Sequence, residues 1–165
     1  MKNKTMETNR LNLSLLSLNE ADFIFELLNT PQWIQYIGNR NIKTKEDAAA
    51  YIQKIADNPT ADYLVVKLKE TGIPLGVVTF MKRDYLDYYD IGYAFLPQFG
   101  KKGYAYEAAK RLLDEVKNEH ATILATVLKD NKRSIQLLEK LGLKFDKEII
   151  INNEALQLYR IDLPK

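Results

Sequence analysis

The chain has 165 residues, of which 46% are hydrophobic and 28% are charged, and its formal net charge is +2. This length and composition fit one folded globular domain over residues 1–165, and so small a net charge argues against a general nucleic-acid binder. The absence of cysteine excludes a disulfide framework, a thiolate nucleophile and a cysteine-based zinc site, and a single histidine, His120, argues against a metal site or a Ser-His-Asp triad. No segment resembles a signal peptide or a membrane span, so we expect a cytoplasmic protein without a membrane partner.

The first half of the chain predicts a strand, two helices and a hairpin. RLNLSLL alternates apolar and polar residues as a strand does. NEADFIFELL follows with Asn19 and Asp22 at capping-box spacing, and TKEDAAAYIQKIA has the same device in Thr44 and Asp47. YLVVKLK and PLGVVTFMK then have strand composition, and the intervening ETGI predicts a hairpin with Gly72 in its turn.

The second half adds a strand, YYDIGYAFL, which Pro97 should end, and a glycine loop that leads into the clearest helix. ATILATVL predicts another strand, and NKRSIQLLEKLG predicts a short helix closed by Gly142 in the left-handed conformation. KFDKEIII and ALQLYRIDL form a last hairpin. The order predicts an α+β (mixed α/β) fold, with a largely antiparallel twisted sheet of about seven strands flanked by about four helices.

The glycine loop, Gly100-Lys101-Lys102-Gly103, has lysines where the partial positive charge of a helix N-terminus disfavours them. Glycine lets an anion approach the backbone, and the free amides at a helix start bind phosphate. The loop matches neither the Walker A nor the Gly-x-Gly-x-x-Gly pattern. The alternatives are a solvated turn and the Gly-x-x-Gly loop of KH domains, which joins two helices rather than a strand and a helix.

In its context, DIGYAFLPQFGKKGYAYEA resembles motif A of the GNAT acetyltransferases, particularly the branch that acetylates the N-termini of ribosomal proteins. RLNLSLLSLNEADFIFELL and NKRSIQLLEKLGLKF resemble further segments of that branch, in the same order along the chain. The resemblance implies a GNAT-like fold in which IGYAFL and ILATVL form a splayed parallel strand pair. It also implies acetyl-coenzyme A as the cosubstrate, with no metal.

The resemblance implies cofactor contacts on the backbone. The pantetheine arm would pair with Phe95 and Leu96, and the pyrophosphate would lie on the amides of Lys101, Lys102, Gly103, Tyr104 and Ala105. One position departs from the family pattern, because Gly100 stands where a glutamine or arginine is common. A side-chain contact to the cofactor would therefore be missing.

The resemblance also nominates Asn131 to hold the pantetheine and Ser134 to hydrogen-bond the sulfur. The alternative is that Asn131 caps a helix and Ser134 satisfies its first turn. Asp90 is the candidate general base, since along a strand it shares a face with Gly92 and Ala94, whose small side chains leave room for a substrate. A solvated aspartate at a strand end is the alternative. A backbone amide near Phe95 or Leu96 is the simplest oxyanion donor.

We therefore expect an acetyl-coenzyme A-dependent N-acetyltransferase. Its acceptor is a protein N-terminal α-amine, a polyamine, an aminoglycoside or another small amine. We expect no nucleic-acid partner, and either a monomer or a homodimer. The alternative functions are a non-catalytic acyl-coenzyme A sensor and an RNA-binding module that uses the Gly-x-x-Gly loop.

Overall fold

Eight strands form one sheet in the order β1-β2-β3-β4-β5-β6-β8-β7 in a computed structural model, which describes residues 5–164. The strands are β1 Thr5–Glu7, β2 Leu11–Leu15, β3 Ala61–Leu68, β4 Pro74–Met81, β5 Asp90–Phe95, β6 Thr122–Val127, β7 Lys144–Ile151 and β8 Glu154–Asp162. The α-helices are α1 Ala21–Leu28, α2 Pro31–Tyr36, α3 Lys45–Ala56, α4 Tyr104–Val116 and α5 Lys132–Lys140. All strand pairs are antiparallel except β5 with β6, so the predicted mixed fold is confirmed.

The first helix begins differently from the prediction. Ser17, rather than Asn19, forms the capping box, with Glu20 as its partner, and one 3-10 turn, Leu18–Glu20, precedes α1. The Glu20 carboxylate accepts hydrogen bonds from the Ser17 amide at 3.1 Å and from Lys67 Nζ at 3.1 Å. Serine with glutamate three residues later is the preferred capping pair, and Glu20 is buried. The predicted Asn19 and Asp22 pair is therefore wrong.

The Thr44 and Asp47 capping box at the start of α3 is confirmed. Two elements were missed. β1 is only three residues long, and α2 is six residues long, which is too short to show helical periodicity. The sequence signal for α2 was Pro31 in the first turn, directly after the capping residue Thr30.

The two faces of the sheet carry different helices, because alternate residues of a strand point to opposite sides. Val65 and Val77 pack against α1, α2 and α3. Leu64 and Val78 face α4 instead. The predicted apolar stripe of α4 is buried there at Ala108, Ala109, Leu112, Leu113 and Val116.

The parallel strands β5 and β6 separate soon after they meet. Their register contains one pair in the described residues, Asp90 with Leu124. β5 ends at Phe95, and Pro97 begins a short 3-10 turn, as the proline predicted. The splayed pair is thus confirmed, and it opens toward the start of α4. None of the helices in residues 5–164 combines the length and the apolar character needed to cross a membrane.

Candidate active site

A cleft of about 1500 Å³ opens where β5 and β6 diverge. All but one of the site residues predicted from the sequence line it: Asp90, Phe95, Leu96, Gly100, Lys101, Gly103, Tyr104, Ala105, Asn131 and Ser134. Lys102 is exposed and does not line the cleft. The structure therefore brings together residues from β5, from the starts of α4 and α5, and from the loop before α4.

The edge of β5 that faces the gap is defined by its hydrogen bonds. The Leu96 amide donates to the Leu75 carbonyl at 2.8 Å, and the Leu96 carbonyl accepts from the Phe99 amide at 3.0 Å. Because backbone groups alternate in direction along a strand, those of Tyr93 and Phe95 point away from β4, toward β6. The Leu96 amide is thus already bonded within the protein, which disfavours it as a cofactor or oxyanion donor. The Phe95 amide and carbonyl remain candidates.

The glycine loop leads into α4 without a side-chain cap. Lys101 and Gly103 have φ values of 66° and 81°, in the left-handed region, and Gly103 stands at the N-cap of α4. The first amides of α4 therefore have no side chain that satisfies them, and Gly103 is exposed. Successive amides in such turns form a concave anion site. The KH alternative is excluded, since the loop follows a strand and a 3-10 turn instead of a helix.

Asn131 caps the start of α5, and Ser134 in its first turn is hydrogen-bonded to Tyr93 of β5. Asn131 caps the helix, because its Oδ1 accepts from the Ser134 amide at 3.3 Å. The Tyr93 hydroxyl lies 2.9 Å from the Ser134 carbonyl, to which it donates, and 3.0 Å from Ser134 Oγ. Burial raises the pKa of Tyr93, and its hydrogen bond to Ser134 partly opposes this. Tyr93 was not singled out from the sequence. Its position on β5, one residue out of step with Gly92 and Ala94, was the available signal.

Asp90 is buried and paired. It is 2% exposed, and Oδ2 accepts a hydrogen bond from Arg83 Nε at 2.5 Å. Burial raises the pKa of Asp90, and the Arg83 charge partly offsets that rise. The alternative of a solvated aspartate is therefore wrong. The ion pair was not foreseen, because Arg83 lies in the β4–β5 connection with no pattern to mark it.

The predicted shared face of β5 is confirmed by the strand register. Gly92 lies opposite Thr79, and Ala94 lies opposite Val77, which packs with α1, α2 and α3. A Cβ atom added at Gly92 would lie 2.6 Å from Thr79 Oγ1, so only glycine fits there. Asp90 follows the same alternation. The carboxylate thus lies on the α2 side of the sheet, opposite the side that holds α4.

The far end of the cleft is formed by segments that are distant in sequence. Side chains of α2, of the α2–α3 connection, of β3 and of the β4–β5 connection line it: Trp33, Tyr36, Arg40, Tyr63, Arg83 and Tyr85. Glu154, the first residue of β8, is exposed and also lines the cleft. The buried Trp33 Nε1 has no hydrogen-bond partner within residues 5–164.

Two further polar residues have structural surroundings. His120 lies outside the cleft, with its ring 4.9 Å from that of Phe80 and 5.0 Å from that of Tyr89. Glu107, in the first turn of α4, accepts hydrogen bonds from the Arg10 amide at 3.0 Å and from Arg10 Nε at 2.8 Å. It fastens α4 to the segment before β2.

Splayed parallel strands, an uncapped helix start and a buried carboxylate around one cleft are the features expected of an acyl-coenzyme A-dependent transferase. A family model described as an acetyltransferase (GNAT) domain matches residues 10–144. The chain belongs to the GNAT acetyltransferase family and is an acetyl-coenzyme A-dependent acyltransferase.

Individual relatives agree with this assignment. The uncharacterized N-acetyltransferase YnaD of Bacillus subtilis (strain 168) is 28% identical over 140 residues, which cover 83% of this chain and 81% of YnaD. A GNAT-family acetyltransferase from Bacillus anthracis superposes with a TM-score of 0.81 at 26% identity, over 96% of this chain and 98% of that one. RimL, a ribosomal L7/L12 α-N-protein acetyltransferase in complex with coenzyme A, has a TM-score of 0.82 at 12% identity, over 96% and 98% of the two chains. RimL therefore shares the fold.

Proposed function

We propose that the protein transfers the acetyl group of acetyl-coenzyme A directly to a primary amine, with a protein N-terminal α-amine as the acceptor. One observation carries the proposal. The free backbone edge of β5 at Phe95, the uncapped start of α4 and the buried Asp90 carboxylate all line the same cleft.

The residues present fit the cosubstrate. The amides of residues 101–105 are suited to the diphosphate, and the Phe95 backbone is suited to the amide groups of the pantetheine arm. Asn131 also lines the cleft. Its proposed role is to hold the pantetheine arm. When bound, acetyl-coenzyme A supplies an acetyl group activated as a thioester, whose thiol has a pKa near ~8.5 and leaves readily.

Asp90 is the proposed acceptor of the amine proton. A base is needed because only a neutral amine is nucleophilic, and the raised pKa of Asp90 makes it a better base than an exposed aspartate. A protein α-amine with a pKa of ~7.7–8.0 makes a smaller demand on this base than a lysine side chain at ~10.4. Ala94 lies on the same face as Asp90, and its small side chain leaves room for such an amine.

Two groups serve the thioester end in the proposal, one at the edge of β5 that faces β6 and one at the start of α5. The Phe95 amide is the proposed oxyanion donor, since a fixed backbone donor needs no reorganisation. The Ser134 hydroxyl is the proposed hydrogen-bond partner of the sulfur, and Tyr93 holds it in place. The chain contains no cysteine, so a covalent acetyl-enzyme has no obvious carrier and direct transfer is favoured.

The choice of an α-amine has two supports. The sequence resembles the branch that acetylates ribosomal-protein N-termini, and RimL, which shares the fold, is described as an α-N-protein acetyltransferase. Arg40 and Arg83 also line the acceptor end of the cleft, and their positive charge disfavours a polycation.

The test is a panel of amines with acetyl-coenzyme A, followed by release of free thiol. The panel pairs each peptide that has a free α-amine with the same peptide blocked at its N-terminus but carrying a lysine, and it adds a polyamine and an aminoglycoside. We expect turnover with free α-amines and little with blocked peptides. Turnover of the polyamine or aminoglycoside alone would contradict the acceptor class. Coenzyme A binding without acetylation of any amine would support the sensor alternative.

A further inference from the structure

Gly100 leaves a space beside the cofactor loop, and the Arg133 guanidinium lies next to it. A Cβ atom added at Gly100 would lie 3.3 Å from Arg133 Nη1. Both residues line the cleft. A side chain from α5 thus reaches the place where a side chain of residue 100 would begin.

The backbone at Gly100 does not itself require glycine. Its φ of −70° and ψ of 161° are extended values that any residue adopts. The two glycines of this loop are therefore favoured at their positions for different reasons. Gly103 has a φ of 81°, whereas Gly100 is the position at which a larger residue would meet Arg133.

The start of α5 carries a cluster of positive charge around Arg133. Lys132 and Arg133 are the first two residues of α5, no acidic residue stands in its first turn, and both line the cleft with Lys101. Cations are disfavoured at a helix N-terminus. Asp130, just before α5, is the nearest acidic residue in sequence and also lines the cleft. Within residues 5–164, none of the three cations forms an ion pair with a carboxylate.

We propose that Arg133 binds the diphosphate of coenzyme A across the space that Gly100 leaves open, so that α5 supplies the charged contact that residue 100 lacks. The assignment rests on the proposed position of coenzyme A in this cleft. A guanidinium suits the role, because its planar fork can donate two parallel hydrogen bonds to phosphate oxygens. The uncapped amides of α4 and the guanidinium would then hold the diphosphate from two sides.

Calorimetric titration of coenzyme A tests the role of Arg133. We expect Arg133→Ala to weaken binding about tenfold, as for the loss of a charge-assisted hydrogen bond, and Arg133→Lys to weaken it less. Lys129→Ala is the matched control, since it removes the same charge from an exposed residue outside the cleft, and its affinity should change less than about twofold. Unchanged affinity in Arg133→Ala, in a protein that binds coenzyme A, overturns this role and leaves the proposed function standing. A wild-type protein that does not bind coenzyme A overturns the proposed function, and the role of Arg133 with it.

A relocation experiment tests the shared space. Gly100→Arg combined with Arg133→Ala moves the guanidinium to residue 100, whose backbone angles accept arginine. We expect the double variant to recover most of the affinity that Arg133→Ala loses. Failure to recover it would contradict the proposal that the two positions serve one contact.

Shortened ligands identify the phosphate that is bound. If Arg133 contacts the diphosphate, Arg133→Ala weakens coenzyme A and 3′-dephospho-coenzyme A by the same factor and leaves pantetheine binding unchanged. If the loss disappears with 3′-dephospho-coenzyme A, Arg133 contacts the 3′-phosphate and the assignment to the diphosphate is wrong.

Discussion

The two ends of the cleft are built in different ways. The proposed cofactor end is formed by β5, the glycine loop and the starts of α4 and α5, all within residues 90–134, and much of it is backbone. The acceptor end is formed by side chains from α2, β3, the β4–β5 connection and the β7–β8 turn. The comparison shows why the family can be recognised from the sequence while the acceptor cannot. Backbone sites leave a compact pattern of glycines and strand residues, whereas the acceptor site depends on a few side chains that the fold brings together.

The largest expected effect comes from a negative charge at the cofactor end. Gly103→Glu places a carboxylate against the proposed diphosphate, and it should weaken coenzyme A binding more than about 100-fold, because juxtaposed like charges cost several kcal/mol. Gly72→Glu is the matched control, since Gly72 has a φ of 74°, lies in the β3–β4 turn and has open space around it. Both variants carry the same backbone strain and charge. Calorimetry should show a loss only for Gly103→Glu, and equal affinities would refute the placement of the diphosphate.

The next effect tests the acceptor end. Asp90→Asn should lower kcat/KM about 10²- to 10⁴-fold if Asp90 is the base, with little change in coenzyme A affinity. An equal loss of coenzyme A affinity would instead indicate a damaged fold.

The pH dependence sharpens the test of Asp90. A base works only when it is deprotonated, so activity falls as the pH drops through the Asp90 pKa, which burial places above the usual range for aspartate. Arg83 lowers that pKa. Arg83→Met should therefore raise the Asp90 pKa further and move the acid limb of kcat/KM to higher pH. An acid limb that does not move in Arg83→Met would show that it belongs to another group, such as the amine itself.

The smallest expected effect tests whether the Tyr93 hydroxyl positions Ser134. Tyr93→Phe removes the hydroxyl that contacts Ser134, a hydrogen bond worth about 1 kcal/mol, and a loss of that size in the transition state lowers kcat about fivefold. Coenzyme A affinity should stay within about twofold, since no charge is lost. Tyr89→Phe is the matched control, because the Tyr89 ring stacks on Phe80 outside the cleft. A drop in thermal stability with unchanged kcat would mean that Tyr93 only packs.

The correctly predicted elements have strong local patterns. The helix α4, the capping box of Thr44, the turn at Gly72 and the left-handed Gly142 were all foreseen, since each depends on residues within a short segment. The errors came from short or competing signals. β1 and α2 are too short to show the periodicity of a strand or a helix. The predicted capping pair, Asn19 and Asp22, was wrong because Ser17 and Glu20 form the capping box instead.

The sequence by itself determined most of the strands and helices and the loop that leads into α4, because strand alternation, helical periodicity and glycine placement are properties of consecutive residues. The resemblance of its segments to the GNAT family implied the splayed strands. Only the tertiary structure decided that Asp90 is buried against Arg83, that the Leu96 amide is already bonded, and that Arg133 reaches Gly100. Each of these depends on a distance between side chains or backbone groups of different elements. Such distances are set by packing of the whole sheet and its helices, and no local pattern in the chain encodes them.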